Sequence, residues 1–105
     1  MIEAIKKLFG LKTTNYEQLI KEGAIILDVR TPGEFSTGHI KGSINIPVNK
    51  LSLNLNKLKA KNKPIITCCA SGMRSASAKS ILQSNGYDKV YNGGAWHRLN
   101  LKLNK

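Results

Sequence analysis

Cysteine is rare in this sequence and confined to one place, the adjacent pair Cys68 and Cys69. Adjacent cysteines make no disulfide framework, and a bridge between them would be strained, so the pair does not read as a redox couple. Histidine is as scarce, with His39 and His97 far apart, and no metal-ligand spacing results. No apolar run approaches the roughly 18 residues of a transmembrane helix. Met1 to Gly10 carry Glu3, Lys6 and Lys7, which leaves no uninterrupted apolar core for a signal peptide. The chain is therefore expected in the cytoplasm, away from membranes and without metal or cofactor. Aromatic residues are only 6% of the chain, and arginine supplies only three of its seventeen basic residues. Without an arginine cluster or an aromatic ladder, the net charge of +11 does not read as a nucleic-acid surface. The densest basic run, Lys57-Leu58-Lys59-Ala60-Lys61-Asn62-Lys63, reads as the solvated end of a helix and the turn after it. No repeat, linker or low-complexity segment divides the chain. Its 105 residues suffice for one domain, 1–105, with a core that needs no staples.

The chemistry concentrates in Cys69-Ala70-Ser71-Gly72-Met73-Arg74-Ser75. A short apolar run, Pro64 to Cys68, leads into it, and a helix-forming run, Ser75 to Ser84, leads out. A cysteine between a strand end and a helix start lies under unpaired N–H groups and the positive end of the helix dipole. Those groups favour the thiolate, which is the nucleophilic form. Gly72 can take a positive φ, so successive amides can turn inward on one anion. Arg74 adds a fixed positive charge at the mouth.

Two registers are possible. Cys68-x5-Arg74 is the spacing of cysteine-dependent phosphatases, whose loop wraps a phosphate, and Cys69-x4-Arg74 is one residue shorter. Three observations favour Cys69. Thr67, not histidine, precedes Cys68. Gly72 falls three residues after Cys69, giving Cys-x-x-Gly-x-Arg-Ser. Cys68 continues the apolar strand, where successive side chains face opposite ways, so it faces away from the loop if Cys69 faces it.

Strands and helices alternate along the chain. Ile2, Ile5, Leu8 and Phe9 share one side of a short helix. Thr14-Asn15-Tyr16-Glu17 has capping-box spacing for a helix to about Glu22, ended by Gly23. Ala24 to Val29 is an apolar run suited to a strand buried on both faces. Thr31-Pro32-Gly33-Glu34 is a second capping box with Pro at the tolerated first position. Ser43 to Val48 follows as a strand and Leu51 to Leu58 as a helix. Pro64 to Cys68 is the central strand, Ser75 to Asn85 the helix behind the loop, and Lys89 to Asn92 the last strand. Gly93 and Gly94 are expected in a tight turn, and Trp96 at the rim of the core or pocket. His39 is expected to be a hydrogen-bonded structural residue and His97 to lie on the surface. The alternation implies a parallel sheet covered by helices, with ligands at the carboxyl ends of its strands, where Cys69 falls.

From about Thr14 to Trp96 the sequence resembles a single-domain rhodanese, a thiol sulfurtransferase. Beside the cysteine loop, the resemblance rests on Leu27-Asp28-Val29-Arg30, Glu34-Phe35, Gly38-His39-Ile40-Lys41-Gly42-Ser43-Ile44-Asn45-Ile46-Pro47, and Gly86-Tyr87-Asp88-Lys89-Val90-Tyr91-Asn92-Gly93-Gly94-Ala95-Trp96. It implies a three-layer α/β domain, a central parallel sheet of about four to five strands flanked by helices. It also implies that Cys69 takes a sulfur atom from a donor as a persulfide and passes it to a thiol or cyanide. The backbone N–H groups of Ala70, Ser71, Gly72, Met73, Arg74 and Ser75, together with the Arg74 side chain as the only cation in the loop, would hold the extra sulfur and its charge, with Asp28 and Arg30 supporting the loop. No general base stands out, and a preformed thiolate needs none. The family suggests thiosulfate as donor. Ala70, Ser71 and Met73 are neutral, however, so a low-molecular-weight persulfide, a polysulfide or a protein-bound persulfide is an alternative. The positive field would draw anionic donors and an acidic protein acceptor to what is expected to be a monomer. Two rivals remain: an oxyanion enzyme (phosphatase or arsenate reductase), which the short loop opposes, and a non-catalytic rhodanese-like binding module, which the intact Cys69 opposes.

Overall fold

A computed structural model describes residues 14–58 and 61–104. The amphipathic helix expected around Ile2, Ile5, Leu8 and Phe9 lies outside the described residues. The elements run α1 (Tyr16–Lys21), β1 (Ile25–Asp28), α2 (Pro32–Thr37), β2 (Ile44–Asn45), two 3₁₀ turns (Val48–Leu53 and Leu55–Lys57), β3 (Ile65–Cys69), α3 (Met73–Ser84), β4 (Val90–Ala95) and α4 (Trp96–Leu103). The strands form one four-stranded sheet in the order β2-β1-β3-β4, every pairing parallel. Helices cover both faces, as the alternation requires.

β3 is an inner strand, and all five of its residues are buried. Its alternation divides the core. Ile65 and Cys69 join Leu27, Val29, Ile46, Ala78 and Leu82 on the α3 face, while Ile66 and Cys68 join Leu19, Ile26, Ile40 and Leu99 on the other. The two cysteines therefore point to opposite sides of the sheet. A register irregularity between Thr67 and Cys69, opposite β4, sits at the point where the chain leaves the sheet for the loop.

Several expectations are corrected. Asn15, not Thr14, caps α1: its Oδ1 accepts the Gln18 N–H at 3.0 Å. The segment expected as a helix over Leu51 to Leu58 forms 3₁₀ turns, with Lys50, Asn54 and Lys57 N–H donating three residues back. Asn54 interrupts it, its Nδ2 bonding the Lys50 carbonyl at 2.8 Å in the way that asparagine competes with helix. The strand expected over Ser43 to Val48 is confined to Ile44–Asn45. The last strand runs on through Gly93 to Ala95, and α4 follows it directly, packing on β4 and against α1.

Gly93 is thus not in a turn. It lies in β4 where a Cβ would come within 2.8 Å of Ile66 Cγ2 and the Thr67 carbonyl, and 2.9 Å of Leu99 Cδ2. Only glycine lets α4 approach the strand pair this closely. Gly93→Ala is expected to destabilise the fold by about 1–3 kcal/mol through overpacking, read from the urea midpoint.

Candidate active site

Cys69 ends β3 fully buried beneath the loop that follows it. Gly72, at φ +110°, turns the chain into α3 and caps it, a backbone conformation that favours glycine. The turn brings two amides onto the sulfur: Gly72 N–H donates to Cys69 Sγ at 3.0 Å and Ser75 N–H at 3.3 Å. The first-turn amides of α3 have no intrahelical partner, so the positive end of its dipole faces the same point. Burial by itself would push the Cys69 thiol up. The Ser75 hydroxyl and the amides of Ser75, Gly72 and Ser71 outweigh it and hold the thiol below its ordinary value. Ala70, Ser71 and Met73 direct their side chains outward, and Met73 is 79% exposed.

Cys68 has the opposite surroundings. Burial, then the neighbouring Asp28 carboxylate, pushes its thiol up to about 12, against a smaller lowering effect of Arg30. Such a thiol stays protonated and inert.

Asp28 and Arg30 form a buried pair beside the site rather than in it. Arg30 Nη2 lies 2.7 Å from Asp28 Oδ2, with Nε also bonded to both carboxylate oxygens. The same guanidinium donates to the Gly38 carbonyl at 2.7 Å and to the Glu34 carbonyl at 3.2 Å, and lies 4.7 Å above the Trp96 ring. It ties β1 to both ends of α2 and to the start of α4. His39 is exposed, with Nδ1 donating to the Phe35 carbonyl at 2.7 Å and its ring stacked on Phe35. His97 is exposed on α4.

Arg74 has a partner that its sequence neighbourhood does not reveal. It forms a forked pair with Glu34, Nη1 to Oε1 at 2.7 Å and Nη2 to Oε2 at 3.0 Å. Glu34 is also the second half of the Thr31 capping box, accepting the Thr31 N–H at 3.0 Å. The Arg74 guanidinium, then the Thr31 backbone, draws the Glu34 carboxyl down to about 2. The loop cation therefore fastens α3 to α2.

Asn92 carries no role in the sequence motifs, yet it organises the floor of the site. Its Oδ1 accepts the Ser75 hydroxyl at 2.6 Å and the Gly94 N–H at 2.9 Å, and its Nδ2 reaches the Gly72 carbonyl at 3.4 Å. The Ser75 hydroxyl also lies 3.0 Å from the Gly72 carbonyl and 3.5 Å from Cys69 Sγ, where it stabilises the thiolate by donating to it once the thiol ionises. Asn-Gly-Gly after an apolar run is the available signal, since asparagine commonly bonds backbone two residues on. Among the described residues, no group of three or more His, Cys, Asp and Glu gathers as a metal site. No helix among them is long and apolar enough to cross a membrane.

Comparison with known proteins agrees in fold and sequence. A profile of the Rhodanese-like domain family matches residues 12–95. The chain is 38% identical over 84 residues to the thiosulfate sulfurtransferase GlpE of Pseudoalteromonas translucida, covering 76% of this chain and 79% of that protein. It is 35% identical over 69 residues to the thiosulfate sulfurtransferase PspE of Escherichia coli, covering 65% of this chain and 66% of that one. An uncharacterised Bacillus subtilis protein, YqhL, is 39% identical over 69 residues, 66% of this chain but only 54% of its own length. Among solved structures, an Escherichia coli rhodanese with anions superposes with a TM-score of 0.67 at 32% identity, over 70% of this chain and 88% of that one.

Proposed function

The chain belongs to the rhodanese-like domain family, and from that premise we propose that it is a sulfurtransferase working through a Cys69 persulfide. The observation that carries this reading is the sulfur cradle itself, two amides aimed at a buried thiol whose ionisation they favour. In the first step the Cys69 thiolate attacks the outer sulfur of the donor. With thiosulfate, the new bond is Cys69 S–S, the donor's S–S bond breaks, and sulfite leaves with the electron pair. The enzyme keeps a persulfide anion, whose charge the loop amides solvate. A thiolate or cyanide then attacks the terminal sulfur, and the Cys69–S bond breaks to restore the thiolate. Starting from the thiolate, no proton has to move in either step.

The sulfurtransferase names of the relatives support the same activity for this chain. Cys68 offers no rival nucleophile, because its thiol is buried on the other face and pushed up to about 12. Cytoplasmic action as a monomer, with an acidic protein as one acceptor, belongs to the same proposal.

Intact-mass measurement tests the reading. After incubation with thiosulfate the protein should gain one sulfur atom, and cyanide should remove it with release of thiocyanate. No added sulfur with thiosulfate, polysulfide or a persulfide donor would remove the assignment.

A further inference from the structure

With Arg74 engaged by Glu34, an anionic substrate has to meet its cation elsewhere. A cleft of about 510 Å³ opens on the loop, lined by Ala70, Ser71 and Gly94 together with Tyr16, Arg98 and Lys102. Its size suits a small molecule, for which sites span roughly 300–1,000 Å³. Arg98 and Lys102 stand four residues apart on α4, so they share a helix face. Both are exposed, and among the described residues neither forms an ion pair. Among the described residues, no acidic side chain lines the cleft. The Lys102 ammonium lies 5.4 Å over the Tyr16 ring, and the Tyr16 hydroxyl donates to the Asn92 carbonyl at 3.2 Å, which joins this lining to the floor beneath Ser75.

We infer that this cleft binds the carboxylate or sulfonate of a small sulfur donor or acceptor, with Arg98 and Lys102 as its specificity-determining cations. The inference rests on the sulfur-transfer reading above and names the class of substrate that reading leaves open. Cys69 is covered by its own loop, and Ala70 and Ser71 form the exposed wall next to it. A substrate whose anionic end is drawn to Arg98 and Lys102 therefore lies alongside the residues that cover the nucleophile. The arrangement selects anionic thiols and thiosulfate over neutral ones without using Arg74.

Alkylation of Cys69 provides a test that needs no sulfur transfer. Iodoacetate carries the carboxylate and iodoacetamide is its neutral counterpart, so the ratio of their rates at Cys69, followed by peptide mass mapping, reports the field of the cleft. The paired variant Arg98→Ala with Lys102→Ala should lower that ratio about three- to tenfold, the scale of two exposed charges. Arg98→Glu with Lys102→Glu should lower it further, Arg98→Lys should retain it, and added salt should erode the wild-type preference. Lys63 and Lys89 precede β3 and β4, at the far end of the parallel sheet from the loop. Lys63→Ala with Lys89→Ala removes the same net charge there and should keep the ratio. An unchanged ratio in both cleft variants, or an equal fall in the Lys63 and Lys89 pair, would overturn the inference. A turnover arm separates donor from acceptor. The KM for thiosulfate, and for 3-mercaptopropionate against 2-mercaptoethanol, should rise selectively for whichever anion the cleft receives. If the wild type forms no persulfide while the alkylation ratio still depends on Arg98 and Lys102, the sulfur-transfer reading fails and the anion cleft stands. If persulfide forms while the ratio is indifferent to those residues, sulfur transfer stands and the anion cleft fails.

Discussion

Cys69→Ser is expected to abolish persulfide formation, and Cys68→Ser to leave most of it in place. The two residues are adjacent, equally buried and chemically identical, so only their surroundings can separate them. Cys69 receives amides from the start of α3, whereas Cys68 sits among Leu19, Ile26, Ile66 and Leu99 next to the Asp28 carboxylate. A serine hydroxyl at position 69 stays protonated where the thiol ionises, and it cannot carry a persulfide. Should a buried hydroxyl at position 68 impair folding, Cys68→Ala serves the same purpose. The pH dependence of alkylation by iodoacetamide gives the second readout. A thiol held below its ordinary value ionises at lower pH than a free cysteine, so the Cys69 rate should level off with an inflection under the free-cysteine value of about 8.5. Cys68 should stay unreactive until pH approaches about 12. Loss of transfer in Cys68→Ser with retention in Cys69→Ser would move the nucleophile upstream and restore the phosphatase spacing.

That contrast is legible in the sequence because it depends on local rules. Strand alternation separates the two cysteines, and the glycine three residues after Cys69 sets the turn that delivers the amides. The Thr31 capping box is equally legible, since its partners are three residues apart. Contacts across long sequence distances are not. Glu34 is forty residues from Arg74, and nothing around Arg74 announces the pairing that draws its charge away from the loop. The α4 helix escapes a sequence reading because Ala95 offers no side-chain cap and the preceding glycines read as a turn. Gly93 is needed for close packing instead, a requirement visible only once Ile66 and Leu99 are in place. Without α4, Arg98 and Lys102 have no site to belong to.

The Arg74–Glu34 pair leads to a further expected result, in which two losses of activity are accompanied by opposite changes in thiol acidity. Arg74→Ala removes the fastening between α3 and α2. It is expected to lower kcat/KM about tenfold, toward the lower end of what a charge-assisted hydrogen bond contributes, because the pair is partly exposed and screened. The loss should be nearly the same with thiosulfate as with a neutral persulfide donor, since the guanidinium charge is already met by Glu34. Glu34→Gln should cause a similar loss for the same mechanical reason. The Cys69 thiol distinguishes the two variants, because Arg74 and Cys69 lie close enough to interact electrostatically. Removing the positive charge at Arg74 raises the Cys69 pKa, and removing the negative charge at Glu34 lowers it. The double variant should fall between them, near the wild type in acidity yet still slow. The Glu34 carboxyl, drawn down to about 2, keeps the pair ionised across any practical assay range, so the wild-type profile should show no inflection from Glu34 in that range. Iodoacetamide rate profiles of the four proteins measure the acidities, and paired-donor kinetics measure the losses. A thiosulfate-specific defect in Arg74→Ala would return the guanidinium to direct contact with the donor and leave the Glu34 pair as a resting state that substrate breaks.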